Sequence, residues 1–311
     1  MNRYTPEGFL LKSFKNLEYT STEGGIEKAL EKGAILEAPA LLCDHGLNLY
    51  VDLGCKLKGI IPRDEVQFSE NGEPIKDIAI LTRVGKPVCF KVVGFESRGG
   101  ERVAILSRRA AQRECYENYI SGLIPGDIIP TKICHIENFG AFVDIGCGIS
   151  SLLSIDCISV SRISHPSVRL TTGDVIYTVV KAIDERGRIY VSERELLGSW
   201  LENASLFDEG QTVKGVVRSV ESYGIFVELR PNLAGLAEYR PDVRPGQTAA
   251  VYIKSIIPEK MKIKLIIIDS HDAPEEASSL EYFIDTERIT HIDSWLYSPP
   301  ECKKVIESVF N

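Results

Sequence analysis

The sequence lacks the signatures of several large classes of protein. No apolar run approaches the ~18 residues that a membrane-spanning helix needs, and the longest are short stretches such as residues 265–268. No two of the eight cysteines lie closer than ten residues apart, so the chain has no CxxC pair of the kind that binds zinc. The GxxxxGKS/T, GxGxxG, HExxH and GxSxG motifs are missing as well. These absences predict a protein that is not an enzyme and that has no cofactor and no metal site.

The cellular location is predicted from the same kind of absence. Residues 1–8 contain no apolar segment and no cleavage pattern, so we expect no secretory signal. Scattered single cysteines without such a signal are typical of reduced thiols in a cytosolic protein. The sequence therefore predicts a cytoplasmic protein without a membrane partner.

Composition and charge leave room for several domains and for a polyanionic ligand. The chain has 311 residues, of which 44% are hydrophobic and 26% charged, which is ordinary for two or three globular domains. The net charge of −8 is uneven: it is 0 for residues 1–125, −5 for 126–209, +3 for 210–269 and −6 for 270–311. The acidic total therefore does not exclude a nucleic-acid partner.

An internal repeat organises the chain. Residues 126–145 and 210–229 align without a gap at a spacing of 84, and the alignment places FGAFV (139–143) on YGIFV (223–227). A fainter copy aligns residues 49–54 with residues 141–146. Short β-branched runs separated by glycine, at four to five strands per copy, predict small closed β-barrels.

Other segments are predicted to connect or extend these barrels. Helical composition or spacing predicts helices over residues 22–32, 107–114 and 193–206, and a helical apolar face over residues 302–310. Polar residues 269–276 predict a linker.

The phase of one strand places an aromatic side chain on the outside of each barrel. Because side chains alternate along a strand, the apolar sets 141/143/145, 225/227/229 and 49/51/53 must face the core. Phe142, Phe226 and Tyr50 then face outward. The same alternation puts Asp144 and Glu228 on the outer face.

The closing strand is predicted to add charge to the same surface. Arg188, Tyr190 and Ser192 oppose the core residues of repeat two, and Lys262 and Lys264 oppose those of repeat three. Exposed aromatics combined with cations favour binding of single-stranded nucleic acid, because bases stack on the rings and cations neutralise phosphates.

Residues 126–195 resemble the S1 RNA-binding domain, an OB-fold variant. The resemblance is carried by residues 139–143 (FGAFV), 173–175 (GDV) and 183–192 (IDERGRIYVS). Three tandem copies over about 33–269 are similar to the bacterial ribosomal-protein-S1-like family. The family's RNA face implies RNA-binding roles for Phe139, Phe142, Asp184 and Arg188.

The other copies depart from the family pattern. Repeat three keeps Tyr223 and Phe226 and offers Lys262 in place of the arginine, whereas repeat one keeps only Tyr50. The family histidine falls on Ser154, Glu238 and Pro62 in the three copies, so one base-contacting position is missing. Tyr190 and Lys132, on the closing and first strands of repeat two, complete the predicted RNA-binding residues.

Several of these residues allow a second interpretation. Phe139 lies three residues from Phe142, so a turn or bulge at Gly140 is needed for both to face RNA. Arg188 can pair with Asp184 on the surface instead, and Tyr50 can pack. A polar segment with His165, Arg162 and Arg169 is either a plain connection or an RNA-contacting loop.

The predicted fold is mainly β, with three tandem five-stranded OB-fold barrels of the S1 type, short connecting helices and a small mixed C-terminal appendage. The expected division of the chain is an N-terminal segment with a short helix (1–32), a degenerate barrel (33–110), a helical linker (111–125), a barrel (126–198), a linker (199–209), a barrel (210–269), and an acidic linker with the appendage (270–311).

The predicted function is non-catalytic binding of single-stranded RNA, especially mRNA, in translation or RNA metabolism. Ribosomal or RNA-processing proteins are the further partners that this function implies. The alternative is a protein-interaction scaffold that docks on the ribosome or on an RNA-degrading complex. The charge of −5 over residues 126–209 favours that alternative, and salt dependence distinguishes the two.

Overall fold

The computed structural model describes residues 4–69, 74–272 and 281–310. The chain divides into two compact units, Met1–Leu123 with Asp144–Ser150, and Ile124–Val143 with Ser151–Asn311. No helix in the described ranges is long and apolar enough to cross a membrane.

Two short helices, α1 (Phe14–Thr20) and α2 (Glu23–Lys32), precede the first barrel. The hydroxyl of Thr22 accepts a hydrogen bond from the amide of Gly25, and Gly33 ends α2 in the left-handed conformation at φ 56°. The predicted helix over residues 22–32 is confirmed. The capping threonine and the terminal glycine explain where it begins and ends.

Barrel one contains the strands β1 (Leu36–Cys43), β2 (Leu49–Asp52), β3 (Lys58–Ile61), β4 (Pro87–Arg98) and β5 (Glu101–Ser107), with α3 (Asp77–Leu81) between β3 and β4. The strands close in the order β1-β2-β3-β5-β4, with β3 and β5 parallel. Leu49, Val51 and Leu53 are buried in its core, as the strand phase predicts.

Barrel two follows helix α4 (Arg108–Asn118), which confirms the predicted linker helix. Its strands are β6 (Ile128–Glu137), β7 (Gly140–Asp144), β8 (Ser150–Ser154), β9 (Val175–Ile183) and β10 (Ile189–Ser192). They close in the order β10-β8-β7-β6-β9.

Barrel three follows helix α5 (Trp200–Ala204). Its strands are β11 (Thr212–Glu221), β12 (Gly224–Arg230), β13 (Leu233–Ala237), β14 (Thr248–Ile257) and β15 (Lys262–His271), closed in the order β11-β12-β13-β15-β14. The prediction of three closed five-stranded barrels is therefore confirmed.

Two of the predicted connections differ from the structure. The expected helix over residues 193–206 is broken into a 3-10 turn, Arg194–Leu197, and α5, because Gly198 has a φ of 79° and Ser199 starts α5 with a capping box. The expected linker over residues 269–276 begins too early, since Asp269 and His271 pair with Ala250 and Thr248 of β14. Residues 273–276 lie outside the described residues.

The C-terminal segment, residues 281–310, forms a hairpin of β16 (Ser294–Leu296) and β17 (Glu307–Val309). The helical face predicted over residues 302–310 is wrong. Pairing with β16 fixes an extended backbone, which exposes Val305 and Val309 while Phe310 is buried. Trp295 and Tyr297 join the core of barrel three, and Phe310 packs with Ile128 of barrel two.

Candidate nucleic-acid interface

An exposed pair of aromatic rings marks the outer surface of barrel two. Phe139 lies in the turn between β6 and β7 and is 54% exposed, whereas Phe142 lies on β7 and is 36% exposed. Their ring centroids are 6.1 Å apart and the ring planes meet at 88°. The turn therefore places both rings side by side, although three residues separate them in the sequence.

The glycine between the two rings is required by close packing of the backbone. A Cβ atom on Gly140 would lie 2.3 Å from the carbonyl oxygen of Leu153. Barrel three repeats the arrangement, since a Cβ on Gly224 would lie 2.6 Å from the carbonyl oxygen of Ala237. Glycine at these positions lets the turn approach the next strand, and the adjacent aromatics stay on the surface.

Barrel three presents a matching aromatic pair. Tyr223 is 69% exposed and Phe226 is half-buried, with ring centroids 6.1 Å apart and planes at 85°. Edge-to-face pairs of this kind are favourable, and each leaves ring surface open to solvent. The 84-residue repeat in the sequence therefore corresponds to a repeated arrangement of aromatic side chains.

A cross-strand row connects the aromatic pair of barrel three to a lysine. Phe226 of β12 pairs with Leu236 of β13, and Leu236 pairs with Lys264 of β15. Two strand spacings of about 4.8 Å put the backbone of Lys264 about 10 Å from that of Phe226 on the same face. Lys262 lies two residues earlier on that face and is exposed. Alternation in the sequence places both lysines on the outer face, and the strand register adds that Lys264 lies in the row of Phe226.

The turn between β9 and β10 holds a second cationic group. The carboxylate of Asp184 accepts hydrogen bonds from the amides of Arg188 and Arg186, both at 2.9 Å, and from the Tyr190 hydroxyl at 3.3 Å. These backbone hydrogen bonds, the one from Arg188 foremost, hold the pKa of Asp184 below its ordinary value.

Arg188 is both paired and accessible. Its Nε lies 3.1 Å from the Asp184 carboxylate, and its side chain is 61% exposed. The acid therefore shapes the turn and orients the guanidinium, which still faces solvent. Tyr190 is half-buried and pairs with Leu152 of β8.

Tyr50 lies on β2 of barrel one and Lys132 on β6 of barrel two. Tyr50 is half-buried, its hydroxyl donates to Asp44 at 3.4 Å, and its cross-strand neighbour Ile60 is buried. Lys132 is half-buried on β6, opposite Val175 of β9. Barrel one therefore presents no second ring beside Tyr50 in its described residues.

Two carboxylates expected on the outer face are buried instead. Asp144 is 2% exposed, and its carboxylate accepts hydrogen bonds from the amides of Gly146 and Gly148. Burial raises its pKa to about 7. Glu228 is 4% exposed because a loop of barrel two covers it with Arg169, and Arg218 pairs with it at 3.1 Å.

Ser192, expected outside as well, is fully buried, and its hydroxyl donates to the carbonyl of Cys157. The expected exposure of these three side chains is wrong because other segments of the chain cover the outer face of the strand there.

A histidine from a loop contacts the turn that carries Phe139. The Nδ1 atom of His165 accepts from the amide of Ser167, so Nε2 carries the proton and donates to Oδ1 of Asn138 at 3.0 Å. Asn138 directly precedes Phe139 in the same turn. The sequence left the role of this loop open, and the long-range contact with Asn138 gives no local sequence signal.

No cluster of three metal-ligating side chains occurs within the described ranges. All eight cysteines are free thiols. The features that stand out on these barrels are therefore paired aromatics and cations.

Comparisons with known proteins agree with this geometry. The family model for the S1 RNA binding domain matches residues 123–194. Small ribosomal subunit protein bS1 of Staphylococcus aureus (strain COL) is 26% identical over 277 residues, covering 84% of this chain and 68% of that protein. The bS1 protein of Mycolicibacterium smegmatis is 28% identical over 294 residues, covering 89% of this chain and 59% of that protein.

A solved multidomain protein with nucleic acid binding domains from Streptococcus pneumoniae is 14% identical. The alignment covers 78% of this chain and 75% of that one, with a TM-score of 0.24.

The fold and the paired aromatics define a protein of tandem OB-type barrels. The S1 RNA binding domain model matches barrel two, and the chain as a whole is similar to ribosomal protein bS1.

Proposed function

We propose that this chain binds single-stranded RNA without catalysing a reaction, in the cytoplasm, and that the RNA is mRNA handled in translation or RNA metabolism. The match to the S1 RNA binding domain and the similarity to small ribosomal subunit proteins support this function. The ribosome is the further partner that these relatives suggest.

The observation that carries the proposal is the repeated aromatic pair. Phe139 with Phe142, and Tyr223 with Phe226, expose ring faces in the same edge-to-face geometry on two barrels. Each base stacked on such a ring contributes about 1–3 kcal/mol, largely independent of base identity. Arg188 and Lys262 lie on the same barrels and supply charge for the phosphates.

Linking two such barrels strengthens binding. Once one barrel holds a strand, the second contact is intramolecular and benefits from a high effective concentration. An acidic protein with two stacking sites is expected to bind RNA through these sites rather than through a broad electrostatic surface. Asp184, which orients Arg188, and Tyr190, Lys132 and Tyr50 are proposed as further RNA-contacting groups outside the two aromatic pairs.

The test is binding of a ~20-nucleotide single-stranded RNA, measured by fluorescence anisotropy. The double variant Phe142→Ala with Arg188→Ala and the single variant Phe226→Ala are each expected to weaken binding by at least about fivefold, since one stack contributes 1–3 kcal/mol. Phe14→Ala is the matched control, because Phe14 is 86% exposed on α1, outside the barrels. Circular dichroism checks that all variants are folded.

A salt titration separates RNA binding from a scaffold that docks through apolar faces. RNA affinity must fall as salt rises, because phosphate contacts release counterions, whereas docking through apolar faces is nearly insensitive to salt. Unchanged affinity in the aromatic variants, or an equal loss in Phe14→Ala, would overturn the proposed site.

A further inference from the structure

The aromatic pair of barrel three forms one wall of a cleft. The cleft has a volume of about 610 Å³ and lies between barrel three, the loop of residues 160–164 and the C-terminal segment. Residues that matter for its chemistry are Arg162, Glu221, Tyr223, Phe226, Met261 and Lys304. Its size is that of a small-molecule site, and apolar side chains with a few polar groups line it, as is usual for such sites.

Hydrogen bonds hold two of the walls in place. The amide of Val160, at the start of the loop, donates to Oδ1 of Asn232 in barrel three at 2.7 Å. In the C-terminal segment, Tyr297 receives a hydrogen bond from the amide of Trp200 at 2.9 Å and donates its own amide to Ile306 at 2.9 Å. The cleft is therefore formed before a ligand arrives, which lowers the entropic cost of binding.

The C-terminal segment is also anchored on barrel two. The amide of Ile292 donates to the carbonyl of Gly126 at 3.0 Å, and a Cβ on Gly126 would lie 2.3 Å from the carbonyl oxygen of Ile292. Gly126 has a φ of 96°, so its backbone and its lack of a side chain both permit this contact. The segment is thus fixed against both barrels.

Two cations that form no ion pair within the described residues line the cleft. Arg218 pairs with Glu228, which Arg169 also contacts, but neither Arg162 nor Lys304 forms an ion pair with any acid in the part of the chain that the structure describes. Glu221 is the acid on the lining. Residues 270–311 carry a charge of −6, yet one of their three basic side chains, Lys304, lines this cleft. An anionic group beside an apolar floor is the ligand that this arrangement fits.

We infer that the cleft takes a nucleotide of the RNA strand held on barrel three, with its base against Tyr223 and Met261 and its phosphate between Arg162 and Lys304. The inference rests on the proposed function and extends it, because it makes the C-terminal segment a part of the RNA-binding surface. The cations lie on elements outside barrel three, so one barrel alone does not supply this subsite.

The test compares two neighbouring lysines in the full-length chain. Lys303 and Lys304 are both exposed, but only Lys304 lines the cleft. With single-stranded RNA, Lys304→Ala and Arg162→Ala are each expected to weaken binding several-fold and to reduce the slope of log affinity against log salt by about 0.7, the loss of one phosphate contact. Lys303→Ala is expected to leave both quantities unchanged.

A second measurement locates the nucleotide directly. Photocrosslinking with 4-thiouridine RNA, followed by mass spectrometry, is expected to label the peptide around Lys304 as well as Tyr223. Labelling of barrel three without the C-terminal segment, or equal effects of Lys303→Ala and Lys304→Ala, would overturn the subsite. If Phe226→Ala still weakens binding in that case, the proposed function stands. If neither Phe226→Ala nor Lys304→Ala changes the affinity, both fail.

Discussion

The backbone amide of Val160 donates a 2.7 Å hydrogen bond to the side-chain oxygen of Asn232, and this bond ties a loop of barrel two to barrel three. Asn232 is fully buried, and its Nδ2 donates to the carbonyls of Arg194 and Gly198 at 2.8 and 3.2 Å. Its own carbonyl accepts from the hydroxyl of Tyr297 in the C-terminal segment. One residue thus joins four segments of the second unit.

Replacing Asn232 by glycine tests this junction. Asn232 has a φ of 66°, which glycine adopts readily, so the substitution keeps the backbone and removes three side-chain hydrogen bonds. Each buried group left without a partner costs about 1–3 kcal/mol, so we expect the free energy of unfolding to fall by at least about 2 kcal/mol in urea denaturation. The exposed Asn118→Gly is the control for loss of an asparagine. A loss in Asn232→Gly no larger than in that control contradicts the assignment.

A buried carboxyl group in the second unit predicts a dependence of stability on pH. Glu193 is fully buried, and its Oε1 accepts from the hydroxyl of Tyr282 at 3.3 Å, whereas Oε2 has no partner among the described atoms. Burial raises the pKa of Glu193 to about 8, against the opposing effects of the Tyr282 hydrogen bond and the charge of Arg169. The folded protein therefore keeps a proton that the unfolded chain releases near pH 4.5.

The direction of the pH dependence follows from this difference in proton binding between the folded and unfolded protein. As the pH rises from about 4.5 to about 8, unfolding releases a proton, and Glu193 lowers the free energy of unfolding by up to about 1.4 kcal/mol per pH unit. Glu193→Gln is expected to match the native protein near pH 5 and to exceed its stability near pH 8, as measured by urea denaturation. The exposed Glu259→Gln is the control. Parallel stability curves for the native protein and Glu193→Gln would rule out this role.

Much of the fold and of the aromatic surface was predictable from local patterns. The 84-residue repeat and the alternation of residues 141–145 and 225–229 identify the barrels and the outward positions of Phe142 and Phe226, because both signals lie within single strands. The burial of Glu228 was not predictable in this way. It depends on Arg169, which is 59 residues away in the sequence and covers the strand only after folding.

The structure of the C-terminal segment was not predictable from local patterns either. The spacing of apolar residues in 302–310 fits a helix, but pairing of β17 with β16 over Ser294–Leu296 decides in favour of a strand. Docking partners such as Gly126 and Asn232 are distant in the sequence, so no local pattern identifies the cleft that this segment helps to form.

Lys264 provides a prediction that depends on the strand register, since alternation places this lysine on the outer face but not in the row of Phe226. The cross-strand row of Phe226, Leu236 and Lys264 places this exposed lysine beside the base-stacking surface, so its charge can neutralise a phosphate of the stacked strand. Lys264→Ala is expected to weaken binding of single-stranded RNA several-fold at low salt and to reduce the salt slope by about 0.7, without changing the far-ultraviolet circular dichroism. Lys28→Ala, an exposed lysine on α2, is the control and is expected to leave the slope unchanged. A general loss of positive charge would affect both variants alike. A change of the salt slope confined to Lys264→Ala therefore identifies a phosphate contact on this row. Equal slopes in the two variants would place the RNA elsewhere on the barrel.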